Sequence, residues 1–169
     1  MSPRYGRCMS EIVVRAARPE DAAGMARVHV RGWQETYRGL LPDEELDAPD
    51  FIERRERMWA RVLTDPAIEW SSAVAEKEGA IIGIAAAGPA QGDDPPRDWE
   101  LYILYLLKGH HGSGAGQQLI DAVLDGRPAV LRVADPNPRA QAFYRRNGFL
   151  PDGGREPFGT GHEIRMVRS

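Results

Sequence analysis

Leu104-Tyr-Leu-Leu-Lys-Gly-His-His-Gly-Ser-Gly-Ala-Gly-Gln-Gln-Leu-Ile120 joins an apolar strand to an amphipathic helix through a turn rich in glycine. The run Leu101 to Leu107 carries aromatic and β-branched residues and predicts a strand buried on both faces. Leu119, Ile120, Val123 and Leu124 recur at helical spacing and give the following helix one core-facing stripe. Between them stand Gly112, Gly114 and Gly116, which permit positive φ and let a ligand approach the main chain. The first N–H groups of a helix lack intrahelical partners and sit at the positive end of its dipole. Such a cradle suits an anion, above all a pyrophosphate.

Spacing then tests which phosphate ligand is meant. A Walker loop requires Gly, four residues, then Gly-Lys-Ser/Thr, and neither Gly109 nor Gly112 leads to a Gly-Lys pair. The dinucleotide fingerprint GxGxxG requires glycine or alanine where Gln117 or Leu119 stands. Both readings fail. A glycine turn that holds no ligand is the plain alternative.

The chain has 169 residues, 42% hydrophobic and 28% charged, which suits one globular domain with a sizeable core. Its net charge is −3 with both signs interspersed, so it offers no electrostatic footprint for nucleic acid. The single cysteine, Cys8, leaves no intrachain disulfide and no cysteine-based zinc site, and no metal is expected. No apolar run approaches the roughly 18 residues of a membrane helix, and Met1 to Cys8 lack the apolar core of a signal peptide. The cytoplasm is the expected compartment. Residues 1–9 read as a mobile tail, with Met9 an alternative start, and residues 10–169 as the domain.

Outward from the glycine turn, the pattern gives an alternating order of elements. A strand begins at Ile12 to Val14, and Pro19-Glu20-Asp21 opens a helix whose apolar stripe is Ala22, Met25, Ala26, His29 and Trp33. Phe51, Arg55, Met58, Trp59, Val62 and Leu63 repeat as a second helix. Ser72 to Glu76 and Ala80 to Ala86 flank Lys77-Glu78-Gly79 as a hairpin, and a Gly/Asp/Pro loop from Gly88 to Pro96 leads into the strand at 101–107. After the glycine turn come a strand at Ala129 to Val133, a helix from Pro138 to Asn147 and a last strand near Glu163 to Val167, with room for another strand after Gly148. One mixed sheet with helices packed on it follows from this order.

Two patterns then coincide. His111-Gly-Ser-Gly114-Ala-Gly116 resembles the Gln/Arg-x-x-Gly-x-Gly/Ala signature of the GNAT superfamily of N-acetyltransferases. Asn137-Pro-Arg-Ala140-Gln-Ala-Phe143-Tyr144-Arg-Arg-Asn-Gly148-Phe149 is similar to that family's second block, Asn-x-x-Ala-x-x-Phe-Tyr-x-x-x-Gly-Phe. The resemblance spans roughly Ile12 to Val167, and the two motifs are separated, as in the family, by one strand. It implies an α/β fold of the α+β type, a central mixed, mostly antiparallel twisted sheet with helices on both faces. It also implies acetyl-CoA as cosubstrate.

By that resemblance, the amides of Gly112, Ser113, Gly114, Ala115, Gly116 and Gln117 hold the CoA pyrophosphate, with His111 beginning the motif. Leu104, Tyr105 and Leu106 run beside the pantetheine arm, and a main-chain N–H of this strand polarises the thioester carbonyl where negative charge develops. Tyr144 is implied as general acid to the departing thiolate, its plain alternative being a core aromatic. Asn137 reads either as the N-cap of its helix or as a pantetheine contact. His111 stands where Gln or Arg is usual. Arg132 occupies a place where relatives that acetylate protein N-termini carry a proton-accepting glutamate, and a guanidinium cannot fill that role.

An alkyl ammonium must lose a proton before it attacks a thioester. Glu100 is the candidate base: alternation along the strand puts it with Tyr102, Leu104 and Leu106, and a partly buried carboxylate there suits the task. An acid at the exposed end of the strand is the competing reading. Trp33, Tyr37 and Tyr102 are candidate acceptor contacts, with Trp33 equally a packing residue and His29 a satisfied core histidine. Asp43, Glu44, Glu45 and Asp47 read as an attractor for a cationic amine or as a solvated loop with a helix start. The expected function is acetyl transfer to the primary amine of a small molecule: an amino sugar, polyamine, amino-acid derivative or antibiotic. The alternatives are a CoA-binding regulatory module without catalysis, or an enzyme acting on protein N-termini or lysines. The expected assembly is a monomer or homodimer.

Overall fold

The computed structural model describes residues 11–169. The tail expected over residues 1–9, with Cys8 and the alternative start Met9, lies outside the described residues.

Seven strands form one sheet in the order β1-β2-β3-β4-β5-β7-β6. β1 (Val13–Ala16) is followed by the 3-10 turn Pro19–Asp21 and by α1 (Ala22–Tyr37), then the short α2 (Asp43–Leu46) and α3 (Phe51–Thr64). β2 (Ser71–Lys77) and β3 (Ala80–Pro89) make the hairpin, turning on Glu78 and Gly79, both at positive φ. β4 (Trp99–Leu106), α4 (Ala115–Leu124), β5 (Ala129–Ala134), α5 (Pro138–Arg146), β6 (Leu150–Phe158) and β7 (Gly161–Arg168) complete the chain. The strand left open after Gly148 is thus present as β6. Every neighbouring pair is antiparallel except β4–β5.

Two cores lie on opposite faces of this sheet. On one, the predicted stripe Leu119, Ile120, Val123 and Leu124 of α4 packs over Ala73, Ala75, Ala85 and Leu131, with Phe149 and Met166 beside it. Alanines on β2 and β3 lie beneath that helix, and small side chains permit a close approach. On the other, Met25, Ala26 and Val28 of α1 and Trp59 of α3 cover Val74, Ile84, Ala86 and Ile103. Asp21 tightens the entrance to α1: it accepts from Arg15 Nη1 at 2.7 Å and from its own chain at Arg18 N. Arg15 and the Arg18 amide hold the Asp21 carboxyl below the ordinary aspartate range.

One irregularity positions everything that follows. The β3–β4 register shifts between Ala86, paired with Ile103, and Ala87, paired with Leu101, so Tyr102 is an extra, bulged residue. The bulge corrects the expected alternation of side chains. Tyr102, Ile103 and Tyr105 pack on the α1/α3 side, whereas Leu104 and Leu106 pack on the α4 side, away from Tyr102. The strand is also not buried on both faces throughout: Leu101 and Ile103 are buried, but Leu104, Tyr105 and Leu106 are only partly covered.

Candidate active site

The parallel pairing of β4 with β5 consists of Glu100 with Val130 and Leu101 with Leu131, and goes no further. A bulge bends and twists its strand, and past Tyr102 the two strands border a cleft of about 810 Å³ instead of each other. Tyr102 to Leu106 form one wall of this cleft, Arg132 to Ala134 and Asn137 the other, and the glycine turn and α5 close its far end.

Hydrogen-bond alternation decides what β4 presents there. Leu107 N–H donates to Ile82 O on β3 at 2.9 Å. In an antiparallel pair, bonded and non-bonded positions alternate, so the main-chain groups of Leu104 and Leu106 turn away from β3 toward the gap. Leu106 O is taken by His111, whose Nε2–H donates to it at 2.7 Å. His111 therefore ties the glycine turn to the end of β4.

The turn fits a pyrophosphate. Gly112 and Gly114 have φ of +80° and +84°, and a Cβ at either would meet open space. Among the described residues, the N–H groups of Gly112, Gly114, Gly116 and Gln117 have no protein acceptor, while Ala115 N donates to Ser113 Oγ at 3.3 Å. Four outward amides at the start of a ten-residue helix are the donor set an oxyanion needs. The Gln117 side chain is occupied elsewhere, donating to Asp121 and to Asn147 Oδ1 and so joining α4 to α5. Arg139 and Arg146 add positive charge to the lining.

α5 starts as its sequence dictates. Asn137 Oδ1 accepts from Ala140 N at 3.1 Å, and Pro138 occupies the first turn. Asn137 also lines the cleft, and its Nδ2 donates to no described residue, so the cap leaves that amide nitrogen uncommitted. Two turns on, Phe143 and Tyr144 face the cleft together. Burial pushes the Tyr144 hydroxyl well above the ordinary tyrosine range, with Tyr37 adding to the effect.

Three tyrosines from different elements thus meet. Tyr37, at the end of α1, and Tyr105, on β4, share a hydrogen bond between hydroxyls 3.1 Å apart. Burial raises the proton affinity of both. Trp33 is in edge contact with Tyr37, with ring centroids 5.3 Å apart, and is absent from the cleft lining. Its other side is covered by the Arg55 guanidinium at 4.9 Å. Tyr102 stacks on Trp70 at 4.8 Å and donates to Pro89 O at 2.6 Å. Its hydroxyl is pushed up to about 12, by burial first and then by the Glu100 charge.

His29 is buried as expected but is not satisfied: its Nδ1 has no hydrogen-bond partner. Burial, aided by Arg55, pushes it down to about 3, which keeps it neutral. Asp43, Glu44 and Glu45 lie in the short α2 with Asp47 just after it, and Asp43 and Asp47 are both paired with Arg38.

Glu100 lies where β4 still pairs with β5, 5% exposed and absent from the cleft lining, and accepts from Arg132 Nη1 at 2.5 Å. It is not an acid at an exposed strand end. Its partner Arg132 also faces Glu163 on β7, with Nε 3.9 Å from Oε1, and Glu156 on β6 at 4.0 Å. Sequence reasoning treated Glu100 and Arg132 separately and missed Glu163. The available signal was one charge standing inside each of two apolar strands, Leu101 onward and Val130 to Ala134, a pattern that invites pairing.

A split parallel strand pair with a free strand edge, a glycine cradle at a helix start and a buried tyrosine opposite defines a class: an α/β protein built to hold a phosphate-bearing ligand along a strand. The chain belongs to the acetyltransferase (GNAT) family, whose profile matches residues 31–149. An uncharacterised N-acetyltransferase of Bacillus subtilis, YuaI, is 30% identical over 109 residues, covering 64% of this chain and 60% of that protein's length. An uncharacterised N-acetyltransferase of Mycobacterium tuberculosis, Rv2669, is 41% identical over 112 residues, 62% of this chain and 68% of its own. The fold is also similar to the crystal structure of the PaiA N-acetyltransferase from Thermoplasma acidophilum in complex with coenzyme A. That similarity has a TM-score of 0.71 at 19% identity, over 94% of this chain and 99% of the other.

Proposed function

We propose that this protein transfers the acetyl group of acetyl-CoA to the primary amine of a small molecule by direct attack. The carrying observation is that the outward main-chain groups of Leu104 and Leu106, the glycine amides and Tyr144 border one continuous cleft. The amides of Gly112 to Gln117 would hold the pyrophosphate, with Arg139 and Arg146 near further phosphate charge, and the β4 edge would hold the pantetheine arm. Acetyl-CoA, when bound, supplies an activated acyl group. A β4 main-chain N–H fixed by the strand stabilises charge developing on the acyl oxygen without reorganising. Tyr144 carries its proton at neutral pH, as a tyrosine does at its ordinary value and as burial reinforces, so it has a proton to give a leaving thiolate.

Small acceptors are favoured by how the mouth is built. The β6–β7 turn is bonded to the connection after α1, Thr160 N donating to Leu40 O at 2.9 Å. Gly159 approaches Leu40 so closely that no Cβ would fit there. With Phe158 packed on Tyr37 at 5.1 Å, this bridge narrows the groove along which a polypeptide would lie. The amine is therefore read as an amino sugar, polyamine, amino-acid derivative or antibiotic.

Thiol release from acetyl-CoA across a panel of spermidine, glucosamine, an amino-acid amide and a lysine peptide tests this. Turnover of a small amine over the peptide is expected. Thermal stabilisation by CoA with no turnover on any of them would leave a binding module, and preference for the peptide would move the substrate class to protein.

A further inference from the structure

The carboxylates around Arg132 are unevenly engaged. Glu100 is closed in by Arg132, which donates to it at 2.5 Å. The Glu163 carboxylate makes no hydrogen bond to any described residue, and its contact with Arg132 Nε is longer, at 3.9 Å. The β5–β7 register pairs Glu163 with Ala134, which lines the cleft, and β6 pairs it with Glu156. Facing residues of an antiparallel pair have Cβ atoms about 5 Å apart on the same side of the sheet, so Glu163 shares a sheet face with Ala134, and it lines a small recess that shares Arg132 with the cleft. It also acts electrostatically on the Tyr37 hydroxyl, and Tyr37 does line the cleft.

We infer that Glu163, and not Glu100, is the base that takes the proton from the acceptor ammonium. This rests on the acetyltransferase reading above. The titratable or charged groups around it are Glu100 on β4, Arg132 on β5, Arg155 and Glu156 on β6, Arg165 on β7 itself and Tyr37 on α1. Burial raises the Glu163 carboxyl above its ordinary value, Arg132 opposes this, and Glu156 and Glu100 reinforce it. With its side chain 23% exposed, Glu163 can also return a proton to water.

The protons balance. The acceptor arrives as an ammonium, and Glu163 takes one proton and passes it to solvent. The nitrogen lone pair forms the C–N bond, the C–S bond breaks, and the sulfur takes the Tyr144 proton. The second nitrogen proton, lost as the amide forms, returns to Tyr144. One proton is released per turnover.

The test is the pH dependence of kcat/KM for wild type, Glu163→Gln, Glu163→Asp and Glu100→Gln on the best amine of the panel, with the acetyl-CoA-induced Tm shift measured for each. Glu163→Gln should lose about 100-fold at pH 7. The deficit should shrink as pH approaches the amine's own pKa, where free amine needs no base. Glu163→Asp should retain an acid limb, and it decides the matter if Glu163→Gln fails to fold. Glu100→Gln should show a deficit that does not vary with pH. A Glu163→Gln deficit that is flat with pH or below threefold overturns the assignment, as does a pH-dependent deficit confined to Glu100→Gln. A wild-type chain that binds acetyl-CoA but acetylates no amine overturns the acetyltransferase reading instead, and this assignment falls with it.

Discussion

The hydroxyls of Tyr37 and Tyr105 lie 3.1 Å apart, bonding the end of α1 to the middle of the cleft wall on β4. Gly32 makes this possible, because a Cβ there would sit 2.7 Å from Tyr105 Cγ. Gly32→Ala should therefore displace the Tyr105 ring and cost about 2 kcal/mol by overpacking. Urea unfolding checks the cost, and an undiminished midpoint would show that the ring has room to move.

Tyr144→Phe removes the hydroxyl and leaves the ring. Turnover should fall by about 100-fold or more while acetyl-CoA affinity stays within about threefold, as for a group acting only in the chemical step. Steady-state kinetics beside a binding titration separate the two quantities. Unchanged turnover would return Tyr144 to packing.

Gly114→Val tests the cradle. The position has φ of +84° and opens onto the cleft. A β-branched side chain is strained there and blocks approach to the neighbouring amides. CoA affinity should fall by about tenfold or more, read as a smaller ligand-induced Tm shift. Wild-type affinity would show that the phosphate lies elsewhere.

Arg132→Met should leave the Glu100 carboxylate buried without its counter-charge. Since Arg132 is 35% exposed, the loss should be about 2 kcal/mol, below that of a fully buried pair. Adding Glu100→Gln should recover part of it. Denaturant midpoints of the two single variants and the double give the coupling, and strict additivity would mean that the pair contributes nothing.

His29 makes stability depend on pH. Its folded value is pushed down to about 3, against an ordinary 6.5, so below 6.5 the unfolded chain binds the extra proton. The stabilisation is complete above about pH 6.5 and is lost progressively as pH falls toward 3. Between pH 6.5 and 5 the loss should be about 2 kcal/mol. His29→Phe should remove that part of the slope in unfolding experiments at pH 5 and 7, and an unchanged slope would assign it to other groups.

Elements with a local cause were legible in the sequence. The stripe of α4, the hairpin at Glu78-Gly79 and the Asn137-Pro138 start of α5 follow from residues within a few positions of one another. The glycine cradle was legible for the same reason. Tyr102 was not: no nearby residue marks it as the bulge, which emerges only when β3 and β4 are aligned. The facing of Leu104 and Leu106 was misjudged accordingly. His29 was placed correctly in the core, but its unpartnered nitrogen depends on what Trp33, Trp59 and Tyr105 leave around it.

The sequence by itself determined the order of the main elements, the glycine turn at the start of α4 and the resemblance that points to acetyl-CoA. Only the tertiary structure decided where β4 parts from β5, that Arg132 engages Glu100 across 32 residues, that Tyr105 meets Tyr37 across 68, and that Glu163 comes within 3.9 Å of Arg132. The reason is physical. Periodicity, caps and glycine preferences are properties of short stretches of backbone, whereas register, burial and the pairing of charges are set by strands brought together from distant parts of the chain.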